Sequence, residues 1–97
     1  MGKQADEALA IDYNMLPEYL YANHSAYMQV GTKTYYLTDV NDSYWRAQDT
    51  NVLNEKDHFV DASDLVSTVS EFVKLPFVDG KTIEEVFDRA TFYASVK

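Results

Sequence analysis

The spacing most suggestive of chemistry is Asp39-Val40-Asn41-Asp42-Ser43, which sets Asp39, Asn41 and Ser43 at the first, third and fifth places of a calcium loop. Such a loop also needs glycine at its sixth place, for the sharp turn, and a bidentate glutamate at its twelfth. Those places hold Tyr44 and Thr50, so the segment reads as a solvated hairpin turn, built by local side-chain to backbone hydrogen bonds. The two histidines, His24 and His58, show no HxxxH-type spacing, and the chain has no cysteine. No metal centre, disulfide, thiol nucleophile or cofactor is expected.

His58, beside Asp57 and near Asp61, has the composition of a carboxylate-oriented general base. Neighbours in a strand point to opposite faces, which leaves Asp57 badly placed to orient it. No serine sits in a nucleophile elbow, and three glycines are too few for a phosphate-cradling loop. No catalytic residue is therefore assigned, and an enzyme is the less favoured class.

The aromatic run Tyr35, Tyr36, Tyr44 and Trp45 is the most distinctive feature. Adjacent residues alternate between faces, so half of these rings lie off the core face unless both faces are covered. Exposed tyrosines among acids have the composition of a protein-binding surface. The candidate contact residues are Tyr36, Asp39, Asp42, Tyr44, Arg46 and Asp49, with Arg46, His58 and Asp61 as polar groups of an alternative ligand pocket between sheet and helices.

The elements that position these residues follow from hydrophobic periodicity. Within Ala26 to Val60, apolar Ala26, Met28 and Val30 alternate with Tyr27 and Gln29, Gly31-Thr32-Lys33 forms a hairpin loop, and the β-branched, aromatic run Thr34 to Val40 returns. Asn41-Asp42-Ser43 turns the chain into Tyr44 to Thr50, with Trp45 and Ala47 on one face and Tyr44, Arg46 and Gln48 on the other. After the polar turn Asn54-Glu55-Lys56-Asp57, a short strand over His58 to Val60 completes a three- to four-stranded antiparallel β-meander.

The period then changes to 3.6. Leu65, Val66, Val69, Phe72 and Val73 form one stripe, with Ser63 as the expected cap and Pro76 as the stop. Thr82-Ile83-Glu84-Glu85 is a capping-box pattern opening a second amphipathic helix, whose stripe is Ile83, Val86, Phe87 and Ala90, with Phe92 falling opposite it. Before the meander, Asn14 to Ala22 reads as a short helix capped by Asn14, while residues 1–10 are read as a frayed helix or disorder. The expected architecture is one α+β domain over residues 1–97: the meander, then two helices packed on one face, with Trp45 buried against Leu65, Val69 and Phe72.

At 97 residues and 46% hydrophobic composition there is material for one core. The net charge is −8, and Thr34 to Val73 carries eight acids against Arg46 and Lys56, a net of −6. Phosphate backbones bind chiefly through Lys and Arg, so direct nucleic-acid binding is not expected. No apolar run is long enough to span a membrane, and the first ten residues lack a signal-peptide core; the expectation is a soluble cytoplasmic protein. These features favour a small acidic interaction protein of inhibitor, immunity or adaptor type, covering a basic site on another protein. Homo-oligomerisation is left open, and the alternative is a small enzyme or ligand-binding domain using the pocket named above.

Overall fold

The structure, a computed structural model, describes residues 3–41 and 43–96. Its elements in chain order are strand β1 (Lys3–Ala8), a 3-10 turn (Tyr13–Met15) leading into helix α1 (Leu16–Asn23), strands β2 (Ser25–Val30), β3 (Lys33–Val40), β4 (Tyr44–Leu53) and β5 (Phe59–Asp61), helices α2 (Val69–Phe72) and α3 (Ile83–Val86), and strand β6 (Ala90–Val96). All six strands form one antiparallel sheet in the order β1-β6-β2-β3-β4-β5.

This overturns the expected meander followed by two packed helices. Residues 3–8 are composed of helix formers, yet they form an edge strand, because β6 offers a row of backbone donors and acceptors that pairing satisfies. The C-terminal stretch, of which only Ala90 was expected in the second helix, is β6, inserted between β1 and β2. Its alternation is plain once the pairing is known: Phe92 faces Met28 on the core side while Tyr93 faces Tyr27 on the other. Phe92, which falls off the helical stripe, is buried.

Both expected C-terminal helices shrink to single turns. Leu65 and Val66 stay extended because β5 covers only part of β4, and Val66 satisfies the remaining edge: Trp45 N–H donates to the Val66 carbonyl at 2.7 Å, and Val66 N–H donates back at 3.1 Å. Thr68, not Ser63, is the cap of α2, its hydroxyl accepting the Glu71 N–H at 3.1 Å. The Ser63 hydroxyl instead accepts the Ala47 N–H at 2.8 Å. The Thr82–Glu85 capping box does form, with both reciprocal bonds present. In α1, Pro17 occupies the first turn, Asn14 does not cap, and the helix ends at His24 in the left-handed region (φ 64°).

The sheet has two unlike faces. On the inner face the rows Ala94·Ala26·Leu37·Ala47 and Phe92·Met28·Tyr35·Asp49 run across the strands. Leu16 and Leu20 of α1, Val69 and Phe72 of α2, and Ile83 and Val86 of α3 close over it as one core. Trp45 is 4% exposed there, its ring edge-on to Tyr21 at 5.6 Å and tilted against Phe72 at 6.5 Å. Phe72 stacks on Phe77 at 5.8 Å, and Phe77 meets Tyr35 at 5.2 Å, so one aromatic train runs through the helical layer. Leu65 is not part of it; it is 50% exposed.

The outer face carries the row Tyr93·Tyr27·Tyr36·Gln48·Asp61. Tyr27 and Tyr36 are buried against one another, with ring centroids 4.9 Å apart, and Tyr36 also meets Phe59. Burial pushes the Tyr27 phenol above its ordinary range, helped by Tyr36; Tyr35 on the inner face is raised by burial and by Asp79 and Asp49. No helix among the described residues is long and apolar enough to cross a membrane.

Candidate functional site

Strand alternation separates the residues singled out from the sequence. Tyr36, Tyr44 and Arg46 belong to the outer face, whereas Asp39, opposite Trp45, and Asp49, opposite Tyr35, belong to the inner one. Asp39 is held by His24, Nδ1 to Oδ2 at 2.7 Å, with only 13% of its side chain exposed. Asp49 accepts the Asn51 N–H at 2.9 Å, fixing the path of β4. Asp42 lies outside the described residues. Tyr36 is buried and Tyr44 is half-exposed at the start of β4. Of the five described residues, Tyr36, Asp39 and Arg46 line one hollow of about 350 Å³ with Thr38, Gln48, His58 and Phe59, while Asp49 belongs to the inner face.

The calcium-like spacing makes a tight β3–β4 turn instead, with Asn41 in the left-handed region (φ 55°) and the Ser43 N–H donating to the Val40 carbonyl. Among the described residues no three His, Asp or Glu side chains gather into a metal-binding group.

Arg46, His58 and Asp61 do line one hollow, together with Gln48, Asn54, Phe59 and Val60, about 360 Å³ in volume. The register that pairs Gln48 with Asp61 brings them there. It lies on the outer face, not between sheet and helices. Arg46 Nη1 donates to Asp61 Oδ2 at 3.3 Å and lies 3.2 Å from Oδ1 as an ion pair, and the buried Gln48 Nε2 donates to Asp61 Oδ1 at 3.2 Å and to the Phe59 carbonyl at 3.3 Å. Arg46 Nε is buried and has no hydrogen-bond partner among the described residues. No hydrogen bond among the described residues joins the His58 ring to a carboxylate, so a base with an orienting partner is not assembled. The nearby Ser63 hydroxyl accepts from Ala47 and donates to the Asp64 carbonyl, leaving it poorly suited to nucleophilic work.

The β4–β5 hairpin is the conspicuous surface feature. β4 continues past its last partner in β3, and Leu53 pairs with Phe59 to close an arm in which every residue from Asn51 to His58 is exposed. The arm is ordered by its own turn: Asn54 Oδ1 accepts from the N–H groups of Lys56 and His58, at 2.8 and 3.1 Å, and Asp57 takes a left-handed conformation. Val52 and Leu53 are 47% and 54% exposed on it. Glu55, Asp57, Asp61 and Asp64 are all exposed along the arm and the segment that follows.

Beside this segment lies a wider groove of about 600 Å³, bounded by Asp61 to Leu65 on one side and Leu75-Pro76-Phe77 on the other. Sequence periodicity misses it because it assigns Leu65 to a buried helical stripe. The visible signal for the correct start of α2 is Thr68-x-x-Glu71, a cap pattern three residues beyond Leu65.

Comparison with protein-family models, with curated proteins and with solved structures finds no match to this chain.

Proposed function

We propose that this chain is a small acidic protein-binding domain, of inhibitor, immunity or adaptor type, acting in the cytoplasm on a partner with a basic surface. The observation that supports this is the β4–β5 edge of the sheet. There, half-exposed Val52, Leu53 and Leu65 are interspersed with exposed Glu55, Asp57, Asp61 and Asp64. Apolar contact area bordered by charge of one sign suits short-range burial combined with long-range attraction of a basic partner.

The test is affinity capture from native lysate at two salt concentrations, followed by kinetics on the captured partner. Reversal of Glu55, Asp57 and Asp64 to lysine should slow association and mimic high salt, while Leu53→Ser should act chiefly on the dissociation rate. Reversing Asp39 is unsuitable as a probe of the field, because its carboxylate is held by His24 and the change would also break that contact. An acidic partner, or binding indifferent to salt and to the triple reversal, would refute the proposal.

A second reading is favoured by Arg46 Nε, which lacks a hydrogen-bond partner among the described residues, and the buried Gln48 beside it: the outer-face hollow as a site for a small polar ligand. Thermal-shift screening of small polar metabolites against the wild type and Gln48→Leu checks it; stabilisation by a ligand in the wild type alone is the supporting result.

A further inference from the structure

We infer that the groove between Asp61–Leu65 and Leu75–Phe77 receives an apolar side chain flanked by lysine or arginine, from an extended basic segment of a partner protein. This rests on the reading of the chain as an acidic binding domain and gives that domain a specific pocket.

The walls and floor are built independently of any ligand. After β5 the chain is tied to β4, with Ala62 and Ser63 N–H groups donating to the Ala47 carbonyl at 2.8 and 3.3 Å and Val66 N–H to the Trp45 carbonyl at 3.1 Å. The opposite wall is a tight turn in which the Phe77 N–H donates to the Leu75 carbonyl at 3.0 Å. Phe77 is fixed by its contacts with Phe72 and Tyr35, so the groove does not close by rotation of that ring. Ala62, Leu65, Leu75, Pro76 and Phe77 supply apolar surface, and the volume falls in the range of sites that hold a side chain or small ligand.

Charge selects the occupant. The lining residues include Asp61 and Asp64 and no Lys, Arg or His. Arg46 offsets Asp61, but Asp64 has no ion pair among the described residues and is exposed at the rim. A phosphate or carboxylate ligand meets like charge there. A second copy of this chain, itself of net charge −8, is repelled overall. A wholly apolar ligand leaves the rim carboxylates to lose water without compensation. An apolar anchor with a neighbouring cation satisfies both the floor and the rim.

The test uses the full chain, isotope-labelled for amide NMR, titrated with three synthetic peptides. These are acetyl-Arg-Leu-Phe-Arg-amide, the charge-only acetyl-Arg-Ser-Ser-Arg-amide, and the charge-reversed acetyl-Glu-Leu-Phe-Glu-amide. The expected result is saturable shifts confined to Asp61–Leu65 and Leu75–Phe77 with the first peptide only. Asp64→Asn should weaken that binding about 2- to 5-fold. Leu65→Ser should weaken it about 5- to 10-fold, because it takes apolar area away from the groove wall. Both side chains are exposed, so neither variant threatens the fold. Equal binding of the charge-only peptide, shifts elsewhere, or no shift with any peptide would overturn the groove assignment. If salt-dependent capture of the native partner then persists unchanged in Leu65→Ser, only the pocket is wrong; if capture is indifferent to salt, the acidic-binding reading itself fails.

Discussion

Replacing Trp45 with alanine removes the largest side chain in the core from a site it fills at 4% exposure. The backbone bonds that tie residue 45 to Val66 use only main-chain atoms and survive the change, so β4 stays in place and a cavity results. Large-to-small changes of this kind cost about 3 to 5 kcal/mol. The edge-on contact with Tyr21 and the tilted contact with Phe72 place this site toward the upper half, since each favourable ring pair is worth about 0.5 to 1.5 kcal/mol beyond area burial. A domain of this length has a total stability of about 5 to 15 kcal/mol, so a loss of about 4 to 5 kcal/mol is at least roughly a quarter of it. The thermal midpoint should fall by more than about 10 °C. Urea unfolding followed by far-ultraviolet circular dichroism measures this without needing the tryptophan that the mutation deletes. Trp45→Phe, which keeps a ring against Tyr21 and Phe72, should recover more than half of the stability. A cost under about 1 kcal/mol for Trp45→Ala would mean that α2 does not cover this strand.

Thr82→Ala removes the capping box of α3 and should cost about 1 kcal/mol in urea unfolding, with Thr82→Ser largely restoring it; an unchanged midpoint in the alanine variant refutes the role given to the cap. Tyr13, Tyr19, Tyr27 and Tyr35 all have phenols raised above the ordinary 10.0 by burial, so their stabilising effect is fully present below that pH and is lost as pH rises through the folded values. Urea midpoints should therefore drop steeply in that alkaline window, in step with tyrosinate absorbance; ionisation of all tyrosines without loss of stability would refute it. EDTA should leave the thermal midpoint unchanged, because Asp39 is bound to His24 and Asn41 is committed to the turn; a fall reversed by added calcium or zinc would contradict this.

Strand alternation is the most legible part of the fold. The observed strands from Ser25 to Asp61 begin within a residue of where period-2 patterning puts them, although β4 runs on past Thr50 to Leu53, and the face of each residue from Tyr44 to Gln48 follows from it. The same pattern is present in β6, where Ala90, Phe92 and Ala94 alternate with Thr91, Tyr93 and Ser95, but the helical stripe opened by the capping box takes in Ala90 and hides where the strand begins. The position of Phe92 off the helical stripe is the sign that it does not. β1 carries no such signal, since helix propensity of a few tenths of a kcal/mol per residue is overridden when a neighbouring strand leaves its hydrogen-bonding edge open. Leu65 and Val66 escape the helix for the same reason. Their stripe is real as a pattern, but the demand of the Trp45 backbone for partners decides the local structure.

The candidate site is less legible because it depends on register as well as alternation. Charge and nearness in sequence group Asp39 and Asp49 with Tyr36, Tyr44 and Arg46, whereas counting odd and even positions along each strand splits them. The association of Arg46 and Gln48 with Asp61 requires knowing that Gln48 pairs with Asp61 across a hairpin whose arm overshoots β3. That overshoot also explains why carboxylates gather at this edge. β5 is only three residues long and is the last strand of the sheet, so the sheet ends in backbone that another strand is able to pair with. Glu55, Asp57, Asp61 and Asp64 make such pairing unfavourable for a second copy of this chain, because both edges would bring the same sign of charge together. The same four charges do not oppose a basic strand or segment. On the proposed reading, one arrangement would thus disfavour self-association while leaving the edge open to an oppositely charged partner, which is why the acidic edge and the exposed apolar residues within it are more informative together than either is alone.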